Sequence, residues 1–359
     1  MENSGAVVEI IPLTGNLYGD WNDFINISDG WFWHSTKWLD YTLAYKPELN
    51  STSLSFLIME NSEILAICPL MLENINGVLE FSFGGSPIWS PAFSNTLSSK
   101  KIERVTTEIF KHVDKLALEH NIARASFAIY PLSNPSHNYL MKYGFLDISL
   151  NTQVIDLRHD LKYLHSDLRK GHDYDIDRGL KVLKTTVFTK DNISRNIFDD
   201  YCRLHELDSG RKTRPQITFD MQYEWIKEGN AILLRASIPS ITGESVVGFS
   251  YIFTYKDKAY YGSACSHPEF SNYPIGHVLT WKTIEWLKEH DFTEYELGWQ
   301  QYKTLFEIPS KKEMSISHFK KGFGGTTFPL FRGEKFYNSK FYLDTMHKRI
   351  EAYGKSTNS

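Results

Sequence analysis

Two stretches of the chain repeat one order of apolar and polar segments. In the first stretch, residues 54–72 predict two strands around a short polar turn, and residues 77–83 predict a third strand. Apolar residues then recur three or four positions apart over residues 101–119, a spacing typical of a helix with one buried face. Residues 123–130 predict the strand that closes this unit.

The second half of the chain repeats this order. Residues 231–236, 246–254 and 259–264 predict three strands, residues 275–289 predict a helix, and residues 292–297 predict a closing strand. An antiparallel meander followed by a helix and a strand is an α+β layered unit. Its repetition predicts a duplicated chain of two domains, which agrees with a length of 359 residues at roughly 150 residues per domain.

The segment between the two copies predicts mostly helix. Charged residues dominate residues 164–181, and a strand is expected over residues 182–188. Two further helices are expected near residues 193–207 and 219–228. No heptad pattern of three or more repeats occurs here, so we expect no coiled-coil arm.

Composition narrows the class of protein. Hydrophobic residues make up 42% of the chain and charged residues 23%, and this charged fraction excludes a disordered protein. The low content of glycine (22) and proline (13) excludes a fibrous one. No apolar run approaches the roughly 20 residues of a membrane-spanning helix, and residues 1–5 lack the basic start of a signal peptide. The three cysteines are widely spaced, and the 13 histidines show no metal-binding spacing. We therefore expect a cytoplasmic protein without a metal site.

Five short stretches carry a family resemblance. They are residues 34–39 around Trp38, residues 83–87 (Phe-Gly-Gly-Ser-Pro), the charged residues 168–181, residues 295–298 (Tyr-Glu-Leu-Gly) and residues 318–325 (His-Phe-Lys-Lys-Gly-Phe-Gly-Gly). Their order resembles the tandem acetyltransferase (GNAT) domains of the Fem peptidyltransferases, and the last stretch is the most specific. Those enzymes move an amino acid from aminoacyl-tRNA onto an amine of a peptidoglycan precursor.

The resemblance implies an α+β fold with two tandem GNAT-like domains, each a mixed, mostly antiparallel sheet flanked by helices. Domain 1 would comprise residues 1–155 joined by the C-terminal segment 330–359, and domain 2 residues 156–329, with the active cleft between them. Asp173 stands where Fem relatives often carry a basic residue, and Thr42 stands where they carry a lysine. Shorter relatives of the fold acylate sugars or other amines, so the acyl donor and the acceptor stay open.

Two residues are predicted to carry the chemistry. Acyl transfer to an amine needs an uncharged amine and a stabilised oxyanion. Lys320 precedes Gly322 and resembles the family lysine that faces the reacting centre; the alternative is a surface lysine beside Lys321. Glu296 ends a predicted strand and is suited to act as a base or a binding carboxylate, while the alternative is a structural residue at a sheet edge.

Further residues are predicted to bind substrate. Arg169, Arg178 and Lys181 lie in one charged segment that is expected to be helical. Arginine suits phosphate recognition, but the acidic residues between these cations favour a salt-bridged surface equally. A helix N-terminus at Gly276 attracts anions, although a single glycine there argues against coenzyme A bound in the usual way. The aromatic residues among the candidates named next either line the cleft or lie in the core. The predicted substrate-binding residues are Arg169, Tyr174, Arg178, Lys181, Trp38, Tyr261, His277 and Phe319.

The sequence thus predicts an N-acyltransferase or aminoacyltransferase that forms an amide on an amine of a cell-envelope precursor. The donor would be aminoacyl-tRNA or an acyl-coenzyme A, with no tightly bound cofactor, and the acceptor a peptidoglycan precursor or a nucleotide-linked or lipid-linked sugar. Residues 311–349 hold 9 Lys or Arg and 3 Asp or Glu, a basic segment that suits a nucleotide, tRNA or peripheral contact with the inner membrane. The alternatives are an acyl-coenzyme A-dependent N-acetyltransferase and a non-catalytic ligand-binding member of the fold.

Overall fold

The computed structural model describes residues 8–241 and 243–357. Residues 1–5, in which no signal peptide is expected, lie outside the described residues. The chain divides into two compact units. The first unit comprises the residues up to Leu150, Tyr302–Ile308 and the residues from Pro329 onward, and the second comprises Asn151–Gln301 and Pro309–Phe328.

In its described residues, the first unit contains short strands and four α-helices. Its helices, apart from short 3₁₀ turns, are α1 (Tyr18–Asn26), α2 (Thr36–Tyr45), α3 (Ser99–Glu119) and the C-terminal α10 (Ser339–Thr357). Its strands are β1 (Glu9–Pro12), β2 (Thr52–Ser53), β3 (Phe56–Glu60), β4 (Glu63–Cys68), β5 (Met71–Ile75), β6 (Val78–Phe81), β7 (Ile88–Trp89), β8 (Ala92–Phe93), β9 (Arg124–Ala128), β10 (Leu146–Asp147) and β18 (Arg332–Phe336).

These strands form two sheets. One has the order β1-β3-β4-β8, and the other has the order β10-β18-β9-β6-β5-β2, with β7 also paired to β9. Most neighbours are antiparallel, but β6 and β7 both run parallel to β9. Helix α3 begins after its N-cap Ser98 and buries Val105, Ile109 and Val113, the apolar face that the sequence predicts.

The second unit is a single sheet with helices. Its helices are α4 (Leu161–Ser166), α5 (Lys170–Leu180), α6 (Arg195–Ser209), α7 (Gln216–Lys227), α8 (Ile275–Glu289) and α9 (Lys311–Lys321). Its strands are β11 (Leu150–Asp156), β12 (Lys184–Phe188), β13 (Ala231–Ser240), β14 (Gly243–Tyr255), β15 (Lys258–Ser266), β16 (Glu294–Gln300) and β17 (Thr326–Leu330).

The strand order of this sheet is β12-β13-β14-β15-β16-β11-β17. Strands β13, β14 and β15 form an antiparallel meander, whereas β15 and β16 run parallel because α8 carries the chain from one to the other. Helix α8 buries Val278, Leu279 and Ile284 in the core of this unit. The observed mixed, mostly antiparallel sheets flanked by helices confirm the predicted α+β class.

Among the described residues, no helix is both long and apolar enough to cross a membrane.

Candidate active site

Two parallel strands of the second unit pair briefly and then separate. Strands β15 and β16 are paired at three positions, the last of which joins Tyr260 to Glu296. Both strands continue beyond this point, β15 to Ser266 and β16 to Gln300. Ligands of α/β sheets bind outside the carboxyl ends of parallel strands, where neighbouring chains diverge. The point of separation is therefore the natural place for a substrate.

Glu296 is a buried carboxyl group at this point. Its side chain is 1% exposed, and Thr152 on β11 donates a hydrogen bond of 2.7 Å to its Oε1 atom. Its Oε2 atom has no hydrogen-bond partner among the described residues. Burial raises the pKa of Glu296 to about 7, although the Thr152 hydrogen bond and the charge of Lys320 both oppose the rise. The carboxyl group can therefore exchange a proton near neutral pH.

Lys320 brings an ammonium group to the same place from the last turn of α9. It is half-buried, and its Nζ atom lies 5.6 Å from the centre of the Tyr261 ring. Burial lowers the pKa of Lys320 to about 8, and the charge of Glu296 opposes this decrease. The neighbouring Lys321 is exposed, because adjacent residues of a helix point to different sides of it.

Because Gly298 has no side chain, there is room beside it for the end of the Lys320 side chain. A Cβ atom at this position would lie 3.0 Å from Lys320 Nζ and 3.1 Å from the Tyr260 hydroxyl oxygen. The residue also has a φ of +86°, which glycine adopts without strain. The Tyr-Glu-Leu-Gly stretch therefore combines a buried carboxyl group with the glycine that admits a lysine beside it.

A second cluster lies around two histidines of the same unit. The ring centres of His172 on α5 and His277 on α8 are 4.4 Å apart, and Phe319 packs against both rings. His172 is fully buried, and its ring contacts the carbonyl oxygen of Phe319 at 2.8 Å and the guanidinium of Arg169 at 3.1 Å. Burial, with a smaller contribution from His172, lowers the pKa of His277 to about 4. Burial also lowers the pKa of His172, so both imidazoles are neutral at pH 7.

The start of α8 has unused hydrogen-bond donors. The N-cap residue Pro274 has no side chain that can accept a hydrogen bond, and the backbone N–H groups of Gly276 and His277 have no acceptor among the described residues. Such N–H groups and the helix dipole attract anions. His277 and Arg169 lie in the cluster beside this helix end, so the region is suited to a phosphate or carboxylate.

The remaining predicted residues lie elsewhere. Tyr174 is 66% exposed on α5, and Arg178 on the same helix forms an exposed ion pair of 3.1 Å with Asp175. Lys181 follows α5 and is exposed. Trp38 belongs to the first unit, where it packs in an aromatic cluster with Trp33 at a ring distance of 4.4 Å. These roles stay predictions.

Sequence reasoning missed three contributors to the site, namely Thr152, Tyr260 and His172. Thr152 lies 144 positions from Glu296 in the sequence and meets it only through the pairing of β11 with β16. Only the strand register brings these residues together.

His165, Asp173 and Asp177 also offer ligand atoms within 4.8 Å of one another, but they are partly or fully exposed, as surface carboxylates commonly are.

Comparisons with known proteins bear on the fold of the chain. The family model of the acetyltransferase (GNAT) domain matches residues 224–304, a segment that includes Glu296, Gly298 and the start of α8. No curated protein matches the sequence.

Solved structures share the fold over most of the chain. FemX is 12% identical with a TM-score of 0.66, covering 94% of this chain and 100% of FemX. L-PGS from Bacillus licheniformis is 13% identical with a TM-score of 0.56, covering 88% of this chain and 96% of that protein. A C-terminal domain from Agrobacterium fabrum, assigned to a lysylphosphatidylglycerol synthetase, is 12% identical with a TM-score of 0.55, covering 80% of this chain and 85% of that domain. Residues 224–304 thus match a GNAT acetyltransferase domain, and the chain has the Fem-like GNAT fold that the resemblance predicts.

Proposed function

We propose that the chain is an N-acyltransferase or aminoacyltransferase that forms an amide bond on an amine of a cell-envelope precursor. One observation carries the proposal. A buried carboxyl group with a pKa of about 7 and a half-buried lysine with a pKa of about 8 lie together where two parallel strands separate. Acyl transfer to an amine needs one group that accepts a proton and one that stabilises negative charge.

Glu296 is the proposed base. An uncharged amine attacks the carbonyl carbon, and its nitrogen loses one proton to Glu296 as the amide forms. Among the described residues, the Oε2 atom of Glu296 has no hydrogen-bond partner that would compete for this proton. A base is most effective when its pKa is near the working pH, and the pKa of Glu296 is about 7. Thr152 acts as a positioning residue, because its hydrogen bond of 2.7 Å fixes the orientation of the carboxyl group.

Lys320 is the proposed oxyanion stabiliser. When the nitrogen–carbon bond forms, the carbonyl oxygen gains the negative charge, and the ammonium group of Lys320 lies in a half-buried place where a charge acts strongly. The bond from this carbon to the donor then breaks, as a C–O bond in aminoacyl-tRNA or a C–S bond in an acyl-coenzyme A. The departing oxygen or sulfur takes up the proton that Glu296 accepted, which returns the site to its starting state.

The donor is proposed to bind by its phosphates at the start of α8. The unused N–H groups of Gly276 and His277 and the guanidinium of Arg169 suit the phosphate groups of either donor. The neutral imidazole of His277 is able to donate a hydrogen bond without adding charge. Both donors are substrates, and the proposal includes no tightly bound cofactor.

The acceptor is proposed to be a peptidoglycan precursor or a nucleotide-linked or lipid-linked sugar with a free amine, used in the cytoplasm. The Fem resemblance supports this class, and Arg178, Lys181 and Tyr174 on the exposed side of α5 are its proposed phosphate contacts.

We also propose that α10 contacts a membrane surface, because it exposes apolar and basic side chains. It exposes Leu343 and Ile350 at 53% and 57%, seven positions apart on one helix face. Lys340 and Lys348 are exposed on the same helix.

Two other functions are considered, and the experiment described below distinguishes them from the proposed one. An acyl-coenzyme A-dependent N-acetyltransferase is favoured by the description of the matching family model. A non-catalytic binding member of the fold is the other option.

The full chain is incubated with each donor class, aminoacyl-tRNA or acetyl-coenzyme A, and with amine-bearing acceptors that include nucleotide-linked amino sugars and a peptidoglycan precursor. Mass spectrometry then detects the amide product. Product from aminoacyl-tRNA alone supports the aminoacyl transfer, and product from acetyl-coenzyme A alone supports the acetyltransferase. Binding of a donor without product in any pair contradicts the enzyme and supports the binding module.

A further inference from the structure

The first unit contains a cavity of its own, at the carboxyl ends of two parallel strands. The cavity has a volume of about 470 Å³, within the range of about 300–1,000 Å³ that small-molecule sites occupy. Strands β7 and β9 pair in parallel at Trp89 and Ala128 and then diverge. The next residue on one side, Ser90, still bonds to Ala128, whereas Ile129 on the other side bonds to Phe331 of a different segment. The first turns of α3 form a further wall.

The lining combines aromatic rings with hydroxyl and amide groups. Phe93, Tyr130, Tyr139 and Tyr143 are the aromatic members. Polar groups between them include several serines and the amide of Asn134. Flat apolar rings contact the C–H faces of a sugar ring, while hydroxyl and amide groups donate to and accept from its hydroxyls. This mixture is therefore suited to a saccharide.

The inner wall is fixed in place by buried hydrogen bonds. His34 is 2% exposed, and its Nδ1 atom accepts a hydrogen bond of 3.1 Å from the backbone N–H of Trp31. Its Nε2 atom therefore carries the proton and donates to the carbonyl oxygen of Ser90 at 2.9 Å. Burial raises the pKa of the Tyr139 hydroxyl, which also hydrogen-bonds to Ser90, so this phenol stays neutral. A preformed wall lowers the entropy lost on binding.

The charges of the cavity argue against a ligand rich in phosphate. One lysine, Lys142, lines it together with two carboxylates, Asp29 and Glu103, and Lys142 already forms an ion pair of 3.2 Å with Glu103. The start of α3 is capped as well, because the Ser98 hydroxyl oxygen accepts from the Lys101 backbone N–H at 3.3 Å. In contrast, two backbone N–H groups at the start of α8 in the second unit have no acceptor within the part of the chain that the structure describes. The cavity is thus suited to a neutral or amino sugar.

We propose that the first unit binds a saccharide of one or two sugar residues in this cavity, formed by α3, the segment Ser90–Phe93 and the segment 129–143. The site lies wholly within the first unit and includes neither Glu296 nor Lys320. The proposal therefore does not depend on the transfer reaction, and the two are tested separately.

The test uses the full chain and saturation-transfer NMR, followed by calorimetric titration. The probes are a panel of glucose, galactose, rhamnose, glucosamine, N-acetylglucosamine and N-acetylgalactosamine with their common disaccharides, and coenzyme A and uridine monophosphate as anionic comparisons. We expect at least one saccharide to bind with a dissociation constant of millimolar or lower, and the anionic probes not to compete for it.

Two variants form a matched pair. Ser99→Trp places a large side chain on the lining of the cavity at the exposed first position of α3, and Lys100→Trp places it one position further, outside the lining. We expect Ser99→Trp to weaken saccharide binding at least 10-fold and Lys100→Trp to leave it within twofold. If Ser99→Trp does not fold, Ser136→Trp on the opposite, exposed wall serves the same purpose. The proposal is overturned if no saccharide of the panel binds, if both variants of the pair bind equally, or if an anionic probe occupies the site instead.

Discussion

The buried carboxyl group of Glu296 should make the protein less stable as the pH rises, and Glu296→Gln should remove this effect. Glutamine has nearly the same shape and retains an oxygen that can accept the hydrogen bond from Thr152. It cannot ionise. Any difference in the pH dependence of stability between the two proteins therefore reports the ionisation of Glu296, together with the further decrease in the Lys320 pKa that follows when the charge of Glu296 is absent.

The sign follows from the shift of the pKa. The pKa of Glu296 is about 7 in the folded protein against an ordinary value of 4.5. Between these values the folded state keeps a proton that the unfolded state has lost, so stability falls as the pH rises and the loss is complete above about pH 7. Integration between pH 5 and pH 8 gives a loss of roughly 2–3 kcal/mol from this group.

The assay compares thermal unfolding of wild type and Glu296→Gln at pH 5 and pH 8. We expect the melting temperature of the variant, relative to wild type, to be higher at pH 8 than at pH 5 by several degrees, since about 1 kcal/mol shifts the melting temperature by roughly 2–4 °C in a unit of this size. Any pH-independent effect of the amide cancels in this comparison. Glu63→Gln, at an exposed carboxylate, is the control and should show no such difference. Equal pH dependence in wild type and Glu296→Gln would refute the assignment of a raised pKa to this carboxyl group.

Three further predictions follow, two from the contacts around Glu296 and Lys320 and one from the exposed face of α10. Thr152→Val removes the hydrogen bond that favours the ionised form of Glu296, so the acidic limb of the pH–rate profile should move to higher pH by roughly 1 unit, and an unmoved limb would exclude Thr152 as a positioning residue. Gly298→Ala places a methyl group 3.0 Å from Lys320 Nζ at a φ of +86°, so we expect a loss of about 1 kcal/mol in stability together with a larger loss in turnover; a loss of stability alone, measured by thermal unfolding and initial rates, would contradict the role of this glycine. Ile350→Ser on α10 should reduce sedimentation with vesicles of anionic phospholipid, and equal sedimentation of the variant and wild type would argue against this helix as a membrane contact.

The regular elements were accessible from the sequence because they depend on local spacing. The helix expected over residues 275–289 is α8, Ile275–Glu289, and the helix expected from about residue 101 begins at Ser99, where Ser98 caps it. The strands of the second copy are also present, although β13 extends to Ser240 because β14 pairs with it along its whole length. Short-range pattern is sufficient for these elements.

The geometry of the site depends on contacts that local pattern does not contain. The sequence favours Lys320 over Lys321 only through the family resemblance, and the packing of α9 against β16 is what makes Lys320 half-buried and leaves Lys321 exposed. The hydrogen bond from Thr152 to Glu296 depends on the register of β11 and β16, which contains a bulge beside Val154. A bulge shifts the register by one residue and changes which side chains share a face, so the pairing cannot be derived from periodicity.

The measurement that tests the central claim most directly is the rate of amide formation by Lys320→Ala compared with Lys321→Ala. The two variants remove the same side chain at adjacent positions of one helix, but only Lys320 approaches the point where β15 and β16 separate. We predict that Lys320→Ala lowers the turnover number by about 100-fold or more, as the loss of an oxyanion stabiliser does, while Lys321→Ala stays within twofold of wild type. Equal turnover in the two variants would contradict the proposed mechanism.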